Sequence, residues 1–359
     1  MDGLGSGELR LLRRVTISPR LRKAALAKEL GISRSAITQL WDKLEYSRNL
    51  RIESYFDHGL LGLTILFGWA KAEEGSEVLF KFATWLRSNP LVSRVVESAI
   101  SSSMDHRVYF EARLPAGPRG NWFRSQLARF EKRPYSLRLI YTSASHIAHH
   151  MNLGLFDGSQ WDFDVGFRFT AAIDMARGYA DVIPVDRTVQ QTAQGELDSE
   201  TLVVAAALNQ NYHATALDLH ECYLRLGLNP PSERTLRRRL NYLRKEAIPY
   251  VGIENIGLTK TAVISLHHPS TGSEIARLLL AQASTLPKTR AVYAPTMTIL
   301  ITELPEPVEW FTLSQALSPL AASSIEMCTF IADGSQLWKS LESFTQYMIS
   351  SISSSEDGI

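Results

Sequence analysis

Ala25-Leu-Ala-Lys-Glu-Leu-Gly-Ile-Ser33 and Leu217-Asp-Leu-His-Glu-Cys-Tyr-Leu-Arg-Leu-Gly-Leu228 decide how this chain is read, because both run into the same downstream pattern. After the first come Ile37, Trp41 and Leu44, then Leu61-Gly-Leu63. After the second come Ser232, Leu236, Leu240 and Leu243, then Ile256-Gly-Leu258. Ser33 to Leu44 aligns with Ser232 to Leu243 without a gap, and Asn229-Pro230-Pro231 is extra in the second copy. An ordered match of this length marks an internal duplication, and a missed repeat misassigns a whole architecture.

Each copy reads as helix, turn, helix. Gly31 and Gly227 tolerate a positive φ and stop the first helix. Ser33 and Ser232 can cap the next, a side-chain oxygen taking a free backbone N–H. The capped helix carries its apolar residues at helical spacing: Ile37, Leu40/Trp41 and Leu44, or Leu236, Leu240 and Leu243. Preceding helices are expected over 7–15 and 198–209. Short β-rich pieces, 50–56 and 248–253, suit a small wing. Then comes β-α-β-β-α-β twice, the split βαβ pattern of a ferredoxin-like fold. The helices of its second occurrence are expected over 273–284 and 308–317.

The expected class is α+β, with two winged helix-turn-helix domains alternating with two ferredoxin-like βαββαβ domains. The boundaries are 1–57 and 58–143 for the first pair, 144–195 for a linker, 196–254 and 255–334 for the second pair, and 335–359 for a C-terminal helix and tail. In the linker, Phe156 to Phe163 reads as a turn flanked by aromatics that can dock on a neighbour.

Composition limits the partners. With 38 Lys+Arg against 37 Asp+Glu in 359 residues, no global charge draws nucleic acid, so any such signature is local. At 45% hydrophobic and 21% charged residues, the chain is neither disordered nor low in complexity. Cys222 and Cys328 form no C-x-x-C pair and suggest no disulfide framework or cysteine zinc site. The start has no signal-peptide pattern, and the apolar stretch from Leu60 to Ala70 is too short for a membrane helix. The expectation is a reduced, cytoplasmic, soluble protein without a membrane partner.

The local charge lies on the capped helices. A helix-turn-helix unit puts its second helix in the major groove of DNA. In the second copy Arg234, Arg237, Arg238, Arg239, Arg244 and Lys245 are basic, with Asn241 beside them. Arginine's forked donors suit guanine edges, and lysine suits phosphates. The first copy offers Arg34, Ser35, Thr38 and Gln39 outward, with Lys43, Arg48 and Arg51 placed for phosphates.

Ala25 to Leu44, with the wing and the Leu61-Gly62-Leu63 strand entry, resembles the leucine-responsive regulator (Lrp/AsnC) family. In that family a winged helix-turn-helix precedes a ferredoxin-like sensing and oligomerisation domain. The resemblance, whose motif is L-A-x-x-L-G-[IL]-S and its apolar follow-on, covers nearly the whole chain apart from the linker and the tail, as a tandem duplication. Where the family has an arginine before the middle apolar residue of its recognition helix, the second copy has Arg239 and the first has Leu40. The family's Gly-x-x-Asp turn near the effector site is replaced by 101–105 and by Ala294 to Met297, without the glycine.

The resemblance implies a sequence-specific regulator that binds double-stranded DNA, forms homo-oligomers, answers to an amino-acid effector and has no catalytic activity or cofactor. It also implies a rival, since some Lrp-like proteins are siroheme decarboxylases whose histidines and basic residues grip tetrapyrrole carboxylates. A scaffold that no longer binds DNA is a third reading. His146, His149, His150, His267 and His268 show no metal-ligand spacing and no obvious clustering on a pocket, so neither a metal site nor the enzyme is the first expectation.

Overall fold

A computed structural model describes residues 3–72, 77–99, 106–162, 197–267, 283–306, 326–332 and 336–356. The expected helices 273–284 and 308–317, the turn 101–105, His268 and most of the linker lie outside these residues. The architecture is α+β; among the described residues the helix-turn-helix unit occurs twice and so does the four-stranded set of the ferredoxin-like pattern.

The first trihelical unit comprises α1 (Ser6–Ile17), α2 (Lys23–Leu30) and α3 (Arg34–Arg48). Gly31, at φ 66°, ends α2, and the Ser33 side chain accepts from the N–H of Ala36 to start α3. The second unit comprises α6 (Ser199–Gln210), α7 (Ala216–Arg225) and α8 (Glu233–Glu246). Gly227, at φ 73°, and the Ser232 cap repeat the same punctuation. The labels α4 (Glu77–Ser88) and α5 (Pro118–Phe130) belong to the first ferredoxin-like unit, and α9 (Leu341–Glu356) closes the chain.

Neither wing is a hairpin of its own. β1 (Arg51–Tyr55) and β7 (Ile248–Gly252) pair antiparallel with each other, Glu53 opposite Tyr250. Two strands that would otherwise be lone edges satisfy each other's backbone groups, and the ribbon ties the two copies together.

The first sheet holds β2 (Leu63–Ala72), β3 (Val92–Glu97), β4 (Arg107–Pro115) and β5 (Leu137–Ser143). The second holds β8 (Leu258–His267), β9 (Lys288–Ala294), β10 (Met297–Pro305) and β11 (Glu326–Ile331). Each takes a fifth strand from outside its repeat. β6 (His146–Met151), within the expected linker, joins the second sheet beside β9. β12 (Leu337–Trp338), where a last helix was expected to begin, joins the first sheet beside β3. The orders are β12-β3-β4-β2-β5 and β11-β8-β10-β9-β6.

The sheets pack face to face. Alternate side chains of a strand point to opposite faces, so Ile65, Phe67 and Trp69 of β2 meet Val263, Val292, Ile299 and Phe330 from the other sheet. The other face, with Leu66, Ala70, Val108 and Phe110, packs under Phe82, Leu86, Phe123 and Leu127 of α4 and α5. Being covered on both faces explains why β2 is an almost unbroken apolar run. The docking turn of the linker is closed by a Phe156–Trp161 stack, and the indole N–H of Trp161 donates to the carbonyl of Ile256 at 2.6 Å. Among the described residues no helix is long and apolar enough to cross a membrane.

Candidate functional site

The face between the sheets is apolar at one end and charged at the end beside the β1–β7 ribbon. Following the same parity along β4, the inward residues are Tyr109, Glu111 and Arg113; along β3, Arg94; along β9, Arg290; along β6, His149. Register lines them into two facing rows. In the first sheet Trp338 pairs with Arg94 and Arg94 with Glu111. In the second His149 pairs with Arg290 and Arg290 with Ile301.

Glu111 joins the rows. Arg290 reaches across and donates from Nε and Nη2 to its two carboxylate oxygens at 2.9 and 2.5 Å. The Tyr109 hydroxyl donates to the same carboxylate at 2.7 Å, and Arg94 Nε stands 3.7 Å away. Forked arginine–carboxylate pairs are strong and fix orientation. The remaining nitrogen of Arg290, Nη1, lies 2.6 Å from Nε2 of His149. Arginine can only donate, so Nε2 accepts and the neutral ring carries its proton on Nδ1. The His149 ring stacks on Tyr250, centroids 4.1 Å apart, and the Tyr250 hydroxyl donates to Glu53 at 2.5 Å. Arg113 donates to the carbonyls of Lys339 and Ser340 at 3.2 and 2.9 Å.

Among the described residues three guanidiniums, those of Arg94, Arg113 and Arg290, lie near the buried carboxylate of Glu111, with Glu53 joined to them through Tyr250 and His149. Burial would raise the Glu111 carboxyl, but Arg290 and Arg94 outweigh it and hold it at about 2. Burial, with repulsion from Arg290, pulls Arg94 and Arg113 down to about 10 against the attraction of Glu111. Burial first, then Arg290 and Arg94, drive His149 well below the usual imidazole range. His58, just after β1, is driven to about 3 by burial and by Arg113 and Arg290. His58 Nδ1 and Arg94 Nε have no hydrogen-bond partner among the described residues.

The cluster opens into a cavity of about 570 Å³ whose walls carry Arg51, Arg94, Lys288 and Arg290 with Glu53, Glu254 and Glu303, together with His149, His150, Tyr250 and Trp338. That volume lies within the range of small-molecule sites. At its rim Lys288 is paired with Glu303 at 2.8 Å. Both copies build it.

Sequence reasoning passes over this site, because it leaves His149 with the other histidines in a linker. The legible signal is charge inside apolar strands: Glu111 and Arg113 in β4, Arg94 in β3 and Arg290 in β9 share the parity of Tyr109 and Val292. Among the described residues no group of three or more metal-ligating side chains comes together.

The residues expected to read DNA lie elsewhere. Arg34, Ser35, Thr38, Gln39 and Lys43 are exposed on α3, as are Arg234, Arg237, Arg238, Asn241 and Lys245 on α8. Several are tied to their own chain. Lys43 pairs with Glu8 and Arg237 with Glu233, each at 2.5 Å, and Arg239 pairs with Glu200. Arg244 donates to the carbonyls of Tyr212 and Ala214, and Arg48 to that of Asn255. Arg51 is on the ribbon, in the cavity wall.

An α+β chain whose two copies close on each other around a buried cationic site is the class these features define. No family model matches the sequence, and no curated protein matches it. Solved structures do. The crystal structure of the siroheme decarboxylase NirDL is similar over 97% of this chain and 99% of that one, with 14% identity and a TM-score of 0.51. Its co-complex with an iron-uroporphyrin III analogue is similar over the same shares, with 14% identity and a TM-score of 0.53.

At 14% identity the likeness shows a shared fold over 97% of this chain; membership of the regulator family has no family match behind it. This finding speaks against the expectation of no catalytic activity, because NirDL, whose structure is similar over 97% of this chain, is named as an enzyme.

Proposed function

We propose that this chain is a decarboxylase acting on a carboxylate-bearing tetrapyrrole of the siroheme type. The observation that carries the reading is the pairing of Glu111 with two largely covered arginines, Arg94 and Arg290, with Arg113 buried on the same strand, beside His149 and a cavity shared by both copies. Buried charge without a counter-charge is costly, so such a site favours an anionic group that completes it. The whole-chain likeness to NirDL, including its complex with an iron-uroporphyrin III analogue, supplies the substrate class.

In this reading Arg94 and Arg290 hold substrate carboxylates and orient them in a site from which water is partly excluded. Cleavage of the bond between an acetate methylene and its carboxylate releases carbon dioxide and leaves an electron pair on the methylene carbon. One proton completes a methyl group there. His149 is the nearest candidate donor: burial first, then Arg290 and Arg94, keep the imidazole neutral, and an arriving anion offsets the share that the arginines contribute.

The test is anaerobic incubation of the purified chain with siroheme. A shifted absorption spectrum reports binding, and mass spectrometry of the pigment reports lost carbon dioxide. His149→Gln is expected to bind but to lower turnover by about 10² to 10⁴, the usual contribution of a positioned acid. An unchanged spectrum together with an intact pigment overturns the proposal. A second reading, duplex binding through α8, rests on the exposure of Arg234, Arg238 and Lys245. Enrichment of one site from a random DNA pool would support it.

A further inference from the structure

A second cavity, of about 1060 Å³, lies between the two helix-turn-helix units. Arg22, Lys23, Trp41, Asn211 and His213 line its outer part. It shares Arg51, Glu53, Tyr250, Glu254 and Trp338 with the inner cavity, so the two meet along the ribbon and the β12 strand.

Trp338 stands at that waist. It is 47% exposed, although it belongs to a sheet and its paired neighbour Arg94 is largely covered. The Arg94 guanidinium lies 3.9 Å from the indole centroid, and Arg290 lies 5.7 Å away. An indole backed by guanidinium groups and open to two cavities is suited to stack on a flat conjugated ring. The outer cations differ in availability. Lys23 is occupied by Asp42 at 3.2 Å and lies over the Trp41 ring. Arg22 and Arg51 have no salt bridge among the described residues and point to a role in holding anions.

We infer that the two cavities are halves of one ligand site, in which Trp338 is the stacking platform and Arg22 and Arg51 hold carboxylates on the outer rim of a planar polycarboxylate. This rests on the tetrapyrrole reading above and assigns the parts of the chain that would select such a ligand. A flat macrocycle at Trp338 would present one edge to Arg94, Arg290 and His149 and the opposite edge to Arg22, with Arg51 where the two cavities meet. Glu45, Glu53 and Glu254 also line the outer cavity, so the site selects how carboxylates are placed as well as how many there are.

Binding to the full chain separates this inference from the catalytic one, using uroporphyrin III, with carboxylates all round its rim, and protoporphyrin IX, with few. Porphyrin absorbance and quenching of tryptophan fluorescence give the affinities. Trp338→Ala should weaken both ligands by about tenfold, and Trp338→Phe should recover most of the loss. The double variant Arg22→Ala with Arg51→Ala should weaken uroporphyrin III by about tenfold and leave protoporphyrin IX within about twofold. Circular dichroism checks the fold of these exposed-site variants. Wild-type affinities in both variants would overturn the inference while leaving decarboxylation standing. Equal losses for the two porphyrins in the double variant would also overturn the outer-rim assignment. If wild-type protein binds neither porphyrin, this inference and the tetrapyrrole reading fall together.

Discussion

Arg94 and Arg290 hold the same place in the two copies, each on the second strand of its sheet and each facing the other sheet. Their neighbours differ. Next to Arg94 on one side is Trp338, and next to Arg290 is His149. On the other side Arg94 has Glu111, where Arg290 has Ile301. Glu111 therefore serves both arginines, taking the forked pair from the opposite sheet. A duplicated fold has in this way produced one charged centre instead of two equivalent ones, with the imidazole on one side and the indole on the other.

The most damaging way to break this arrangement is Glu111→Ala. It strands the Arg290 guanidinium and takes the ion-pair partner from Arg94, and is expected to cost about 3–5 kcal/mol, as loss of one partner from a buried ion pair does. Urea denaturation measures it, and a change below about 1 kcal/mol would mean that the arginines find other partners. Ile301→Glu probes the same comparison from the other copy by giving Arg290 a carboxylate across its own sheet. With the fold intact by circular dichroism, uroporphyrin III affinity should fall by about tenfold, roughly 1.4 kcal/mol. Unchanged affinity would show that the buried positive excess does not attract the ligand.

A gentler test uses pH. His58 and His149 are neutral in the fold, with His58 at about 3, and become protonated on unfolding below about 6.5. The unfolded chain then binds more protons, so their contribution is complete above about 6.5 and declines as pH falls, for His58 down to about 3. The slope is on the order of 1 kcal/mol per pH unit for each ring. Thermal melts between these limits should show it, and His58→Gln should flatten it. The smallest expected effect is on α8: Arg238→Ala, at an exposed position, should change stability by less than about 0.5 kcal/mol. A larger loss in a thermal melt would reveal a structural role for that surface.

The duplication was legible because helix punctuation is local: Gly31 and Ser33, with Gly227 and Ser232, announce their backbone roles within a few residues. The strand order within each repeat could be read for the same reason. The fifth strands could not. His146 to Met151 and Leu337 to Trp338 become strands only through partners more than a hundred residues away, Lys288 to Tyr293 for one and Arg94 to Val95 for the other. The site escaped notice for a related reason. The arginine run on α8 is conspicuous because its charges are consecutive, whereas Arg94, Glu111, His149 and Arg290 are scattered and meet only when the sheets stack. A basic helix face can satisfy itself locally, as Arg237 does with Glu233. A lone charge in an apolar strand has no such local remedy, and that makes it the more informative sign.

The crossed strands have an evolutionary consequence. Because β6 completes the second sheet and β12 the first, the halves are always present one to one. In an association of identical subunits every new allele appears twice, so an acid gained at one position is gained at its mirror image as well. Fusion lifts that constraint: either half can acquire a residue that its twin could not tolerate, and the descendants can specialise without a second gene to regulate.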